Sequence, residues 1–249
     1  MSHPNQRKPM FFFFKRPNVN VDAFIEERYV AVYENAPIDY SVNHYPNWWR
    51  NLKKQGPLRG TENNAKSCVG ILELYKRSLT LPMWSDMELN VQSGAWRFAD
   101  GKSELSVHGP QQRQGFKKDY IHFKLNSPWL MKSDKNVYFS WIGDYYNQGE
   151  LPIEVPPAIV DYYYQSSTNF NFFLNKNVEN IQIQFNTPLA IIVPMTDKEV
   201  VIKRHLISGR EFNLIHQKTS SVTFSRKYYA LKKIEEKRET KKCPFGFGK

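Results

Sequence analysis

VYFSWI (137–142), AIVDYYY (158–164), FNFFL (170–174), IQIQF (181–185), LAIIVP (189–194) and EVVIK (199–203) follow one another across the second half of the chain. Each is a short apolar run rich in β-branched and aromatic residues, and Pro, Gly, Asn or Asp separates it from the next. Such runs are strands paired through turns. Upstream, YIHFKL (120–125) extends the series. MELNV, AWRF and SELSV, joined at Gly94 and Gly101, read as a β-meander. Strands therefore dominate from 83 to 203, with no βα alternation that would signal a parallel sheet. The expected fold class is mainly β: an antiparallel β-sandwich or jelly-roll-like barrel, with short helices near the N-terminal third and a C-terminal helix.

The helices come from the 3.6-residue period. In HYPNWWRNLKK, Pro46 precedes a face of Trp48, Trp49 and Leu52; in KSCVGILELYKRSL, Cys68, Ile71, Leu72 and Tyr75 share a face. Between Ala23 and Tyr33, the residues Tyr29, Ala31 and Tyr33 alternate with Val30 and Val32, which predicts a strand buried on both faces. From Arg226 to Thr240 the composition is helical, with Tyr228, Leu231 and Ile234 along one side. Lys232 with Glu236 and Glu235 with Arg238 sit at pairing distance there.

The 249 residues suffice for a full core without metals or disulfides. Six Trp, 14 Tyr and 17 Phe supply much of the apolar mass. The net charge of +11 is unevenly spread. Residues 1–17 hold Arg7, Lys8, Lys15 and Arg16 with no acid, and residues 226–249 hold nine bases against Glu235, Glu236 and Glu239. The remainder is near neutral, so the basicity belongs to two tails. Three segments follow: an extended basic and aromatic arm over 1–20, a single β-rich domain over 21–225, and a basic helical tail over 226–249. Basic tails suggest docking onto an acidic partner, or nonspecific contact with nucleic acid through Lys232, Lys233, Lys237, Arg238, Lys241 and Lys242 together with the N-terminal bases. Phe11, Phe12, Phe13 and Phe14 form a patch too apolar to leave in water. They lie either on the chain's own core or in a partner's groove, and Trp48 and Trp49 either cap one end of the core or form a platform; in the second reading all six are the candidate partner-binding residues.

Chemistry is sparse. His3, His44, His108, His122, His205 and His216 are scattered without a His-x-His or His-x-Asp/Glu pattern, and no metal or cofactor is expected. Cys68 reads as a packed thiol and Cys243 as incidental; two cysteines make no disulfide framework. There is no Gly-x-Ser-x-Gly elbow, Walker A loop or dinucleotide fingerprint. The low cysteine count points to synthesis in a reducing interior, and no membrane span or secretion signal is readable.

Two fragments, AIVDYYYQ (158–165) and NTPLAIIVPM (186–195), look like the apolar-Asp strand and the Gly-x-x-Leu-Ala strand of trimeric dUTPases. That resemblance singles out Asp161, beside the plainer reading of a strand-end Asp closing a turn. The family's Gly-rich phosphate motifs are not matched, so the resemblance implies a related barrel without the activity. More broadly, HYPNWWRNL (44–52), KSCVGILELYKRSLTLPMWSDMELNV (66–91), NSPWLMKS (126–133), IVDYYYQ (159–165), NTPLAIIVPM (186–195) and KKCPF (241–245) resemble an uncharacterised protein family of tailed phages, especially T4-like phages of marine bacteria. This resemblance implies a phage context and transfers no catalytic residue. The expectation is a non-enzymatic phage protein that binds other phage proteins, as a virion structural or assembly component in an oligomer or larger assembly. It would be made in the host cytoplasm and placed in the virion. A dUTPase-like nucleotide-binding enzyme and a nonspecific nucleic-acid-binding protein are the alternatives.

Overall fold

The computed structural model describes residues 18–53, 64–149, 151–219 and 225–242. Phe11 to Phe14, Arg7, Lys8, Lys15, Arg16 and Cys243 lie outside the described residues, as do the side chains of Lys241 and Lys242.

The first described element is β1 (Val19–Glu26), in which Val19, Val21, Ala23 and Ile25 are fully buried and the alternate residues half-exposed. Val19 and Asn20 thus belong to the sheet, not to the arm. The strand expected to reach Tyr33 stops at Glu26. A 3-10 turn at Glu27–Tyr29 leads into α1 (Val30–Asn35). An unbroken apolar run fits both periods, and here packing selects the helix: Tyr29, Val32 and Tyr33, spaced i, i+3, i+4, meet the core while Val30 is exposed.

Then come β2 (Asp39–Tyr40), α2 (Asn47–Asn51), α3 (Val69–Arg77) and β3 (Leu79–Pro82). β4 (Met87–Asn90), β5 (Trp96–Phe98), β6 (Leu105–His108), β7 (Tyr120–Leu125), β8 (Trp129–Ser133) and β9 (Tyr138–Gly143) follow. After α4 (Tyr145–Gln148) the chain forms β10 (Ile153–Glu154), β11 (Ala158–Asp161), β12 (Phe170–Asn175), β13 (Asn180–Ile183), β14 (Pro188–Pro194) and β15 (Val200–Ile207). Two helices follow, α5 (Gly209–Thr219) and α6 (Ser225–Lys242).

Among the described residues the strands form four sheets, ordered β15-β1-β8, β10-β12-β7-β6, β11-β9-β14-β3-β2 and β13-β4-β5. The protein is mainly β, and no barrel closes among the described residues. The expected meander is broken after β5. β4 and β5 form a hairpin turned at Gly94 (φ +70°), but β6 pairs with β7, Leu105 opposite Leu125. One core cluster draws on all four sheets, through Ile25, Leu81, Leu89, Phe123, Met131, Phe139, Phe172, Ile183 and Ile192. β14 is apolar at consecutive positions because both its faces are covered: Ala190 and Ile192 enter this core, while Ile191 packs under Ile71 and Tyr75 of α3.

Among the described strands, one pairing departs from the antiparallel pattern. β15 runs parallel to β1, from Val19 opposite Val200 to Glu26 opposite Ile207. The outer edge of β15 is blunted by Tyr40, whose hydroxyl donates to the Val200 carbonyl and accepts from the Ile202 N–H, both at 3.3 Å. Tyr40→Phe removes both bonds. We expect it to lower stability by about 1 kcal/mol and to speed amide exchange at Ile202.

α5 was not expected inside the β-rich segment. It is opened by a capping box: Ser208 Oγ accepts from the Glu211 N–H (3.4 Å) and the Glu211 carboxylate accepts from the Ser208 N–H (3.1 Å).

Candidate functional site

α2, α3 and α4 lie together over the outer face of β14, and their aromatic residues form a ledge. Its foundation is Tyr75. α3 turns this residue inward with Ile71, and its ring is fully buried on Ile191. A buried phenol needs a hydrogen-bond partner. Tyr75 donates to Asp144 Oδ1 at 2.8 Å. The amide of Asn147 donates to Asp144 Oδ2 (2.8 Å), to the Tyr75 hydroxyl (3.2 Å) and to the His44 carbonyl (2.7 Å). Burial pushes the Asp144 carboxyl above the usual carboxylate range, against the bonds from Asn147 and Tyr75. It pushes the Tyr75 phenol up as well, reinforced by Asp144. Desolvation lowers the His44 imidazole, which keeps it neutral near pH 7.

Asp144 also caps α4 through the Asn147 N–H (3.3 Å), and Gly149 ends that helix at φ +55°. The turn thereby fixed projects Tyr145, 82% exposed, beside Tyr146, with ring centroids 5.6 Å apart.

Trp48 and Trp49 are adjacent on α2 and must point in different directions. Trp49 faces inward. It stacks on Tyr45 at 4.0 Å and 7°, and Tyr45 stacks in turn on Tyr75 at 4.6 Å. Lys66 lies 5.3 Å over its ring. Trp48 is 45% exposed, yet held in place: its Nε1 donates to the Tyr146 carbonyl at 3.0 Å and its ring tilts against Tyr146. The two residues thus divide their roles, with Trp49 in the support and Trp48 on the surface. Tyr145 and Tyr146 were missed by sequence reasoning, although Asp144 and Asn147, three apart directly after a strand, carry the signal of a side-chain cap. Cys68, expected to be packed, is exposed where α3 begins. α3 needs only Ile71 and Tyr75 for its buried face, so Cys68 is left outside.

A second cluster joins α6 to the body. Asp161 ends β11, where its Oδ1 accepts from the Tyr163 N–H (3.1 Å), as a turn-closing Asp does. Its Oδ2 accepts from the Tyr228 hydroxyl of α6 at 3.1 Å, so the carboxylate is enclosed between a turn and a helix. Burial raises the Asp161 carboxyl, opposed by those bonds and by Lys232. Lys232 Nζ donates to the Tyr138 hydroxyl at 2.5 Å and lies over that ring; this bond lowers the Tyr138 phenol and raises the lysine.

Lys232 is therefore engaged with the body, whereas Lys233, Lys237 and Arg238 are exposed and Arg238 reaches Glu235 at 3.7 Å. Ile234, expected on one side with Tyr228 and Leu231, is 48% exposed. Tyr228, Leu231, Lys232 and Glu235 form the half-buried line instead. The aromatic anchors Tyr138 and Tyr164 set the rotation of the helix, and these select Tyr228 and Lys232 over Ile234.

Among the described residues no group of three or more His, Cys, Asp or Glu side chains is placed to hold a metal ion. No helix among them is long and apolar enough to cross a membrane. No family model matches the chain, and no curated protein matches it.

Proposed function

We propose that the protein is a non-enzymatic binding component of a tailed-phage particle or of its assembly machinery: a sandwich or jelly-roll-like β-body that docks another phage protein through the aromatic ledge. The observation that carries this reading is the pairing of exposure with rigidity. Trp48 and Tyr145 stand 45% and 82% exposed, while the groups behind them are locked by stacked rings and by the buried Tyr75–Asp144–Asn147 network. Large aromatic side chains held in one geometry lose little entropy when a partner covers them, and Trp and Tyr dominate interface energetics. Asp144 and Tyr75 are enclosed and serve as support, which suits a scaffold better than a reaction centre.

Mass spectrometry of purified particles tests the placement; absence of the chain from particles and from assembly intermediates sinks it. For the partner recovered there, Trp48→Ala combined with Tyr145→Ala is expected to weaken binding by up to about a thousandfold, at roughly 2 kcal/mol for each anchor. Circular dichroism and thermal unfolding should stay near wild type, because both side chains are surface groups. Unchanged affinity in the double variant would remove the ledge from the interface.

A further inference from the structure

The face of α6 turned away from the body carries a straight line of cations. Successive side chains on a helix are rotated by about 100°. The half-buried residues Tyr228, Leu231, Lys232 and Glu235 therefore occupy one side, centred near Glu235. That side is fixed by Tyr228, bonded to Asp161 and set edge-on to Tyr164 (5.7 Å, 89°), and by Lys232 on Tyr138. Directly opposite, Arg226, Lys233 and Lys237 fall within about 40° of one another, with the small Ala230 between them. All four are exposed. Lys227 and Arg238 flank the line on one side, and Tyr229 and Glu236 on the other. Docking removes one base, Lys232, and one acid, Glu235, from the outer surface. Between residues 226 and 238 the exposed charged side chains are then five bases, of which Arg238 reaches back to Glu235, and a single acid, Glu236.

We propose that this stripe is an interaction surface for the phosphate backbone of double-stranded nucleic acid, bound without sequence reading. The cations run about 16 Å along the helix axis, at 1.5 Å per residue. A duplex presents one negative charge per roughly 1.7 Å of its axis, so a straight, rigid row of bases can neutralise several phosphates at once. A protein partner fits less well, because a stable protein interface needs a desolvated apolar centre. Tyr229 and Ile234, the exposed apolar groups of the helix, lie on opposite flanks about 140° apart and make no common patch. The orientation is a product of the fold. In a free helix the same sequence would present Lys232, Glu235 and Glu236 as readily as the basic line. This surface is separate from the aromatic ledge and does not rest on the role proposed for it.

The test uses the full chain and a fluorescein-labelled random-sequence duplex of about 30 base pairs, read by anisotropy from roughly 25 to 200 mM salt. Wild-type affinity is expected to fall with salt. Arg226→Gln, Lys233→Gln and Lys237→Gln together should reduce the slope of log K against log salt by about 2 to 3 and weaken binding at least about tenfold at 50 mM. Gln keeps helix propensity, and circular dichroism checks it. Removing three exposed bases elsewhere, Lys76→Gln, Lys132→Gln and Lys203→Gln, should leave the slope unchanged. Wild-type slope in the α6 variant overturns the proposal, as does an equal loss in the control variant. Competition by polyglutamate as effective as that by unlabelled duplex overturns it in favour of an acidic protein. A tenfold preference for single strands overturns the duplex assignment.

Discussion

Trp84→Ala is expected to lower the unfolding free energy by about 3–5 kcal/mol and to depress Tm by roughly 10 °C. Trp84 lies between β3 and β4 and is 1% exposed in the shared core. Its removal opens a cavity where close packing leaves little room for collapse. It also breaks a polar tie. The indole N–H donates to Ser103 Oγ (2.9 Å), and Ser103 donates to Asp100 Oδ2 (2.7 Å). That tie anchors the turn at which the chain leaves β5 and starts toward β6. Trp129→Phe is the contrasting control. Trp129 is equally buried, but its Nε1 has no hydrogen-bond partner among the described residues. Removing a buried unsatisfied donor offsets part of the cost of the lost volume, so the net loss should stay below about 1.5 kcal/mol. Urea denaturation of both variants separates the two cases.

Asp144→Ala should cost about 3 kcal/mol, because it strips the acceptor from Tyr75 and Asn147 together and leaves two buried polar groups to be satisfied elsewhere. Tyr75→Phe in the same background should cost much less than it does in the wild type, since its partner is already gone; additive losses in this cycle would disprove the coupling. The pH dependence has a definite sign. Asp144 is held above its ordinary value of 3.8, so the folded state keeps its proton to higher pH than the unfolded chain does. The stability tied to that proton is complete below the unfolded pKa and is lost as pH rises through the raised folded value. The margin of wild type over Asp144→Ala should therefore be widest below the ordinary carboxyl value of 3.8 and narrow as the pH rises through the raised folded value. Because Asp144 caps α4, and Trp48 is bonded to the Tyr146 carbonyl on that helix, partner binding at the ledge should weaken in the same variant.

Much of the local structure was legible. Each of the six runs between Val137 and Lys203 contains a strand, although Tyr162 to Tyr164 form a turn, and α2 and α3 occupy the segments where Trp48, Trp49, Ile71 and Tyr75 set a helical period. Turn chemistry and binary pattern act over a few residues, so they can be read from a few residues. α1 escaped because Tyr29 to Tyr33 are apolar at every position and satisfy both periods. α5 escaped although Ser208-Gly209-Arg210-Glu211 spells its capping box. The candidate site was half legible. Trp48 and Trp49 were identifiable as a pair, but their division into surface and support depends on Tyr45, Tyr75 and Tyr146, which come from three other segments.

The sequence by itself determined a β-rich body with basic ends, the aromatic supply of its core, and the positions of most strands. Tertiary structure alone decided that β1 pairs in parallel with β15 across most of the chain, that β6 deserts β5 for β7, and that Lys232 turns inward while Arg226, Lys233 and Lys237 turn out. The physical reason is common to all three. A strand's periodicity records which of its faces is buried but not which neighbour buries it, and a helix's charges acquire a direction only when something, here Asp161 and Tyr138, holds its other side.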